Sequence, residues 1–139
     1  ARPELTAAVR IAKQFLTYVS GGPFQYAIAK GLSLGDDYYA NLLADMREKR
    51  DFLTEGLESA GFQTFRSQGT YFVTADARSV GFEDGLELCL QLPEKVGVVA
   101  VPNVVFYDNE HEGRHLIRFT FCKSFDVLSD AVQRLGRLK

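Results

Sequence analysis

The chain has 139 residues, of which 46% are hydrophobic and 24% are charged, and its formal net charge is −2. This composition is that of an ordinary globular domain with a hydrophobic core. The near-neutral charge, without a basic stripe, argues against a nucleic-acid partner. No apolar run approaches the roughly 20 residues that cross a bilayer, so we expect no membrane span.

Helices are predicted over the first part of the chain. Apolar residues recur at three- and four-residue steps over 3–19, which is typical of an amphipathic helix. The stretch SGGP, 20–23, should end that helix, and a second helix is predicted over 23–34. A third and longer helix should begin at Asp36 or Asp37 and run to about residue 60.

The hydrophobic period then changes to that of strands. The segments 62–66 and 70–76 alternate and are separated by SQG, which predicts a hairpin. Residues 86–97 read as a short helix that Pro93 should kink or end. The run VVAV, 98–101, is continuously apolar, and we expect it to be a central strand.

A long loop over 102–114, a strand over 115–122 and a final helix complete the predicted elements. The order ααα-ββ-α-ββ-α is not a strict alternation of strands and helices, so a doubly wound parallel sheet is not expected. The sequence instead predicts an α+β fold, with a small, mostly antiparallel sheet of about four strands packed against helices.

The strand within HLIRFTFCKS carries an arginine that raises a question of charge. Arg118 shares the less apolar face with Thr120, and the nearest acids, Glu112 and Asp126, lie outside the strand. A half-buried guanidinium needs an anion. That anion is either an acid elsewhere in the fold or the carboxylate of a ligand, which arginine binds through two parallel hydrogen bonds. Phe106, in the preceding loop, could wall such a pocket.

No metal site is predicted. His111 and His115 have a spacing that a helix could use, but Gly113 lies between them and no suitable third ligand is near. Cys89 and Cys122 lie in apolar segments without a CxxC motif, and we expect both to be reduced and buried.

Four segments occur in an order and spacing that resemble one enzyme family. They are YVSGGPFQYAIAKGL (18–32), SQGTYFVTAD (67–76), VGVVAVPNVVFYDNEHEGRHLIRFTFCKS (96–124) and LSDAVQRL (128–135). Together they are similar to the C-terminal, small-domain part of a fold-type I, pyridoxal-phosphate-dependent aminotransferase of classes I and II. The resemblance is greatest to N-succinyldiaminopimelate, kynurenine–glutamine and methionine aminotransferases, and the stretch VVAVPNVVFYDN favours the first of these.

The resemblance implies a division of labour between this chain and residues upstream of it. Arg118 would bind the α-carboxylate of the amino acid substrate. The Schiff-base lysine of the family lies upstream, so we expect no catalytic residue in this segment, and the segment alone should be inactive. The cofactor, pyridoxal 5′-phosphate, would be bound mainly by the missing large domain.

The resemblance also implies partners and an organisation. Residues 1–35 would be helices leading out of the large domain in an interface region, and 36–139 would be the small domain. Tyr18, Gly21 and Gly22 would contact the pocket or the partner subunit of a homodimer. The substrates would be an amino acid and a 2-oxo acid, the pathway lysine biosynthesis and the location the cytoplasm.

Two other functions remain open at this point. The chain could be a non-catalytic, carboxylate-binding regulatory module of α+β architecture. Alternatively, the full protein could keep pyridoxal phosphate and act as a C–S β-lyase on a substrate of the cysteine-conjugate type.

Overall fold

The computed structural model describes residues 2–17 and 21–138. The chain divides into two compact units, residues 1–40 and residues 41–139. This boundary falls inside the third helix, whereas the boundary predicted from the sequence precedes it; the functional division at residue 35 stays a prediction. None of the helices in the described ranges is long and apolar enough to cross a membrane.

The first unit is helical. It contains α1 (Pro3–Leu16), α2 (Gly22–Leu32) and the beginning of α3 (Asp36–Ser59). Helix α1 stops short of the predicted end at residue 19, which lies outside the described residues. No described residue of α1 or α2 is buried. The hydroxyl of Tyr39 donates a hydrogen bond of 2.7 Å to the carbonyl of Gly31, which ties α3 to α2 within this unit.

The second unit holds the rest of α3 and three further helices, α4 (Gly85–Val96), α5 (Glu110–Gly113) and α6 (Phe125–Leu135). Of the two predicted effects of Pro93, a kink or an end of the helix, the end is wrong, because α4 continues to Val96. The kink stays a prediction. A proline near the last turn removes only one backbone hydrogen bond. The helix ends at Gly97, which has φ +69° and donates to the carbonyls of the last turn.

The second unit also contains the sheet. Its strands are β1 (Gln63–Phe65), β2 (Phe72–Asp76), β3 (Val101–Pro102) and β4 (Leu116–Thr120). They lie in the order β1-β2-β4-β3, and every neighbouring pair is antiparallel. The predicted hairpin forms from β1 and β2. The predicted α+β class, with a small antiparallel sheet and helices packed on it, is confirmed.

The prediction of a central strand over 98–101 is wrong. Strand β3 has only two residues and lies at the edge of the sheet, beside β4. Val98 is buried but Val99 is 75% exposed, so the apolar run is covered on one side only. A continuous apolar run marks a central strand where helices cover both faces of a sheet. Pro102 is compatible with an edge, since it cannot donate a ladder hydrogen bond.

One face of the sheet carries the hydrophobic core. The helices α3, α4 and α6 and alternate residues of β2 and β4 contribute to the same buried cluster. Its members include Leu53, Leu57, Val73, Ala75, Leu88, Leu92, Ile117, Phe119, Phe121 and Leu135. The rings of Phe62 and Phe119 meet edge to face, with centroids 5.5 Å apart. The intervening strand residues face away from this core and form the open face of the sheet.

The two cysteines differ in exposure. Cys89 is buried in α4, where burial raises the pKa of its thiol to about 11. The prediction that Cys122 is also buried is wrong, because its side chain is exposed. Cys122 follows β4 in the same alternation as Arg118 and Thr120, and its sulfur lies 3.0 Å from the hydroxyl oxygen of Thr120. Both thiols are free.

Two polar side chains, Asp76 and Asn103, are buried in the described part of the chain. The carboxylate of Asp76 accepts a hydrogen bond of 2.6 Å from Nη2 of Arg78 and one of 2.9 Å from the Arg78 backbone N–H. These hydrogen bonds hold the pKa of Asp76 below its ordinary value, although burial opposes them. Asn103 belongs to a different network, which lies on the open face.

Candidate functional site

Arg118 lies in the middle of the open face of the sheet. Its neighbours in β4, Ile117 and Phe119, are buried in the core, while Arg118 itself is half-buried. In the strand register, Thr74 of β2 pairs with Arg118 on one side and Val101 of β3 pairs with it on the other. The alternation of β4 therefore places the guanidinium on the face that the helices leave uncovered.

Two aromatic rings contact this guanidinium. The ring centroid of Phe72 lies 4.4 Å from the guanidinium carbon of Arg118, and that of Phe106 lies 4.0 Å from it. Phe72 comes from β2, while Phe106 ends a short 3-10 turn, Asn103–Phe106, that follows β3. Arginine stacks well on aromatic faces because its planar cation is weakly hydrated. The two rings restrict the orientation of the guanidinium plane.

The remaining contact of Arg118 is with a buried amide. Its Nε donates a hydrogen bond of 2.7 Å to Oδ1 of Asn103, which begins the same 3-10 turn. Asn103 is only 4% exposed. Within residues 2–17 and 21–138, no carboxylate pairs with Arg118. The described part of the chain therefore offers no acidic partner that would make Arg118 one half of a structural ion pair.

Arg118 opens into a groove of about 440 Å³ with mainly apolar walls. Besides the arginine and its two rings, the lining side chains are Tyr71, Val99, Val101, Thr120 and Lys123. No Asp or Glu lines the described groove. A concave apolar site with a few polar groups is the usual form of a small-molecule site, and the charge of this one suits an anion.

Two of the other residues singled out from the sequence belong to the first unit of the chain. Gly21 and Gly22 stand at the start of α2, in the first unit, whereas Arg118 and Phe106 belong to the second. A Cβ at Gly22 would meet no atom of the described residues within 4 Å. Tyr18 lies outside the described residues. The suggested contact of these three residues with a pocket or a partner subunit stays a prediction.

Asn103 and Phe72 are site residues that the sequence did not suggest. Asn103 interrupts an otherwise apolar run, VAVPNVVF, and a single polar residue in such a run is a weak signal of a buried hydrogen bond. Phe72 shares the open face with Arg118 only because of the strand register, in which Phe72 pairs with Thr120. That register is not readable from either strand alone.

The described lining of the groove contains no His, Cys, Asp or Glu side chain. The described residues contain no group of three or more His, Cys, Asp or Glu side chains that could hold a metal ion. His111 lies in the one-turn helix α5, and Nε2 of His115 lies 4.0 Å from a carboxylate oxygen of Asp76.

Comparison with known proteins decides the family. The family model "Aminotransferase class I and II" matches residues 1–135. The chain belongs to the class I and II aminotransferase family. Among curated relatives, the probable N-succinyldiaminopimelate aminotransferase DapC of Mycobacterium tuberculosis is 46% identical over 97% of this chain. The methionine aminotransferase of Escherichia coli is 33% identical over 96% of the chain.

Solved aminotransferase structures share the fold. The N-succinyldiaminopimelate aminotransferase of Mycobacterium tuberculosis matches 98% of this chain with a TM-score of 0.84 and 48% identity. This chain spans 35% of that structure, and it spans 36% and 34% of the two curated aminotransferases. It therefore corresponds to about a third of an aminotransferase of this family.

The family implies pyridoxal phosphate as the cofactor, and the described residues can be tested against it. The groove offers one planar fork of N–H donors between apolar walls, which fits a carboxylate. It offers no acid for a pyridine nitrogen in the described lining. Lys123, three residues after the end of β4, is the lysine in the described lining of this groove. The chemistry of the groove thus fits a carboxylate and does not by itself fit the cofactor.

Proposed function

We propose that this chain is the C-terminal, substrate-clamping part of a pyridoxal-phosphate-dependent aminotransferase. The complete enzyme would move an amino group between an amino acid and a 2-oxo acid. Membership of the class I and II family and the coverage of about a third of its relatives support this proposal. Pyridoxal phosphate, when bound by the rest of the protein, supplies the electron sink for the reaction.

The observation that carries the proposal is the state of Arg118. Its guanidinium is stacked with Phe72 and Phe106, and it has no carboxylate partner in the described chain. A substrate α-carboxylate would supply the missing anion through two parallel hydrogen bonds. Such a clamp fixes the orientation of the substrate and places its amino group at a defined distance from the reacting centre.

We further propose an amino donor of the N-succinyldiaminopimelate type and a role in lysine biosynthesis. The relative named for N-succinyldiaminopimelate is 46% identical to this chain, while the one named for methionine is 33% identical. A relative named as an LL-diaminopimelate aminotransferase is 30% identical over 92% of the chain.

The complete enzyme is proposed to be a cytoplasmic homodimer. In the first unit, α1 and α2 expose large apolar side chains, among them Phe15 at 84% and Phe24 at 75%. Monomeric proteins rarely expose many such side chains together. A second copy of the chain would cover them symmetrically, with Tyr18, Gly21 and Gly22 in that interface.

The test is Arg118→Lys in the complete protein. Lysine keeps the charge but loses the planar fork, so kcat/KM for the amino donor should fall. The fall should correspond to a loss of about 2–4 kcal/mol of transition-state stabilisation. Arg114→Lys is the matched control, because Arg114 pairs with Asp84 at 3.0 Å and does not line the groove. Kinetics of Arg118→Lys equal to those of the wild type would refute the clamp.

Product analysis separates this reaction from the two alternatives. An aminotransferase yields a 2-oxo acid and a new amino acid in equal amounts. A C–S β-lyase converts a cysteine conjugate and water into pyruvate, ammonia and a thiol, and it needs no 2-oxo acid as a second substrate. A non-catalytic module binds simple carboxylates through Arg118 and turns over none of these substrates.

A further inference from the structure

A guanidinium can bind a carboxylate along either of two edges. One edge consists of Nη1 and Nη2, and the other consists of Nε and one Nη. Both present two parallel N–H groups, but they differ in direction, so the edge in use determines where the rest of the ligand lies. The clamp proposed for Arg118 does not by itself specify the edge.

The contact with Asn103 distinguishes the two edges. Arginine has only donors, so the asparagine atom that faces Nε must be the carbonyl oxygen. At 2.7 Å this is a short hydrogen bond, and its acceptor belongs to Asn103, a residue that is only 4% exposed. The Nε edge is therefore already engaged within the chain, while Nη1 and Nη2 make no hydrogen bond with another described residue.

The same 3-10 turn restricts Arg118 a second time. Asn103 begins the turn and Phe106 ends it, with the ring of Phe106 4.0 Å from the guanidinium carbon. The ring contact limits the tilt of the guanidinium plane, and the hydrogen bond to Nε limits its rotation within that plane. Together they leave one edge of the fork directed to a ligand.

We propose that Asn103 is a positioning residue, which engages Nε of Arg118 so that the substrate carboxylate is bound by Nη1 and Nη2. The inference rests on the carboxylate clamp of the proposed function. A neutral amide suits this task because it accepts the Nε hydrogen bond without neutralising the guanidinium. An aspartate in its place would keep the acceptor but would compete with the substrate for the positive charge.

The experiment compares Asn103→Ala and Asn103→Asp in the complete enzyme. With the amino donor, KM of Asn103→Ala should rise about tenfold while kcat changes less than about threefold, because a misoriented fork weakens binding first. Calorimetric binding of 3-phenylpropanoate should weaken by a similar factor. Binding of the uncharged 3-phenylpropanamide should not change, since it lacks the carboxylate.

Two controls separate positioning from a general structural role. Asn109→Ala removes an exposed asparagine whose amide donates a hydrogen bond of 3.0 Å to Glu112. This variant should leave kcat, KM and the affinity for 3-phenylpropanoate at their wild-type values. Adding Asn103→Ala to Arg118→Lys should raise KM by less than about twofold relative to Arg118→Lys alone, because lysine has no Nε edge to engage. If Asn103→Ala acted only by disturbing the structure, its full increase in KM would appear again in the double variant.

The outcomes are distinguishable. If Arg118→Lys loses activity but Asn103→Ala keeps the wild-type KM and 3-phenylpropanoate affinity, the positioning role is overturned and the clamp stands. If Arg118→Lys has no effect, the proposed function fails first. If Asn103→Ala does not fold, the nearly isosteric Asn103→Asp decides: weaker carboxylate binding with an unchanged melting temperature supports the inference, and unchanged binding overturns it.

Discussion

The ring centroid of Phe106 lies 4.0 Å from the guanidinium carbon of Arg118, although Phe106 as a whole is 60% exposed. The exposed ring therefore uses part of its surface to cover a cation. A ring in this position attracts the guanidinium through its quadrupole and reduces its contact with water. The quadrupole holds the guanidinium in place, and the reduced contact with water strengthens its hydrogen bonds to a carboxylate that enters the groove.

Replacing this ring should weaken the clamp without removing it. Phe106→Leu should lower kcat/KM for the amino donor, since the cation–π contact is lost while the apolar wall is kept. The expected loss of transition-state stabilisation is about 0.5–1.5 kcal/mol. Phe106→Tyr should retain most of the activity. Steady-state kinetics of the complete enzyme provide the measurement. Val105→Ala, at the adjacent exposed residue outside the groove, should be neutral; equal losses in Val105→Ala and Phe106→Leu would contradict the role of the ring.

The buried carboxylate of Asp76 should make stability depend on pH. Hydrogen bonds from Arg78 lower the pKa of Asp76 in the folded protein. The contribution of this carboxylate to stability is therefore fully present above its pKa in the unfolded chain, about 3.9. It is lost as the pH falls through the lower pKa of the folded protein. Asp76→Asn should cost about 1–3 kcal/mol at neutral pH, and this difference should shrink in acid.

Urea unfolding of the complete protein between neutral pH and about pH 3 measures this difference. The matched control is Asp130→Asn, which breaks an exposed pair with Arg134 at 2.8 Å. That substitution should cost no more than about 0.5 kcal/mol, because surface pairs contribute little. A cost for Asp76→Asn that stays constant down to acid pH would show that the carboxylate charge is not what stabilises the fold.

A close approach of α3 and α6 depends on a glycine. A Cβ at Gly56 would lie 2.7 Å from Cγ1 of Val132. Gly56→Ala should therefore destabilise the protein by about 1–3 kcal/mol, despite the better helix propensity of alanine. Gly31→Ala in α2, where a Cβ would meet no atom within 4 Å in the described part of the chain, should stabilise the protein by about 0.5 kcal/mol.

Denaturant unfolding of the two glycine variants tests this contrast, and a double variant sharpens it. Adding Val132→Ala to Gly56→Ala should recover part of the lost stability, because the smaller side chain makes room for the new methyl group. If Gly56→Ala and Gly31→Ala stabilise alike, α3 and α6 do not approach as closely as described.

Gly22 offers a test of the proposed dimer. A Cβ at Gly22 would meet no described atom within 4 Å, so the chain itself can accommodate Gly22→Val. A weaker dimer and lower activity in this variant would then report a contact from another subunit. Sedimentation of the complete protein and single-turnover kinetics give the two readouts. Gly69→Val, in the second unit, is the matched control, because a Cβ at Gly69 would also meet no described atom within 4 Å. A Gly22→Val protein that stays dimeric with unchanged kinetics would leave the turn as a simple helix break.

Local patterns predicted much of the fold, and contacts distant in sequence explain what they missed. The alternation of Ile117, Arg118 and Phe119 is a property of one strand, and it correctly placed Arg118 away from the core. The position of β3 at the sheet edge depends on which face the helices cover, which no single segment encodes. Asn103 and Phe72 reach Arg118 through the strand register and a turn, so they emerged only from the structure.

The pattern of β4 also affects how the sequence of this domain can change over time. Adjacent residues of one strand serve different tasks: Ile117 and Phe119 hold the core, whereas Arg118 and Thr120 face the groove. Substitutions at groove positions can retune ligand preference at little cost to folding, because these side chains alternate with the core residues and lie on the other face of the strand. An insertion or deletion of one residue within β4 would exchange the two sets and drive the guanidinium into the core. Lineages of this domain should therefore diverge in β4 by substitution and keep its length.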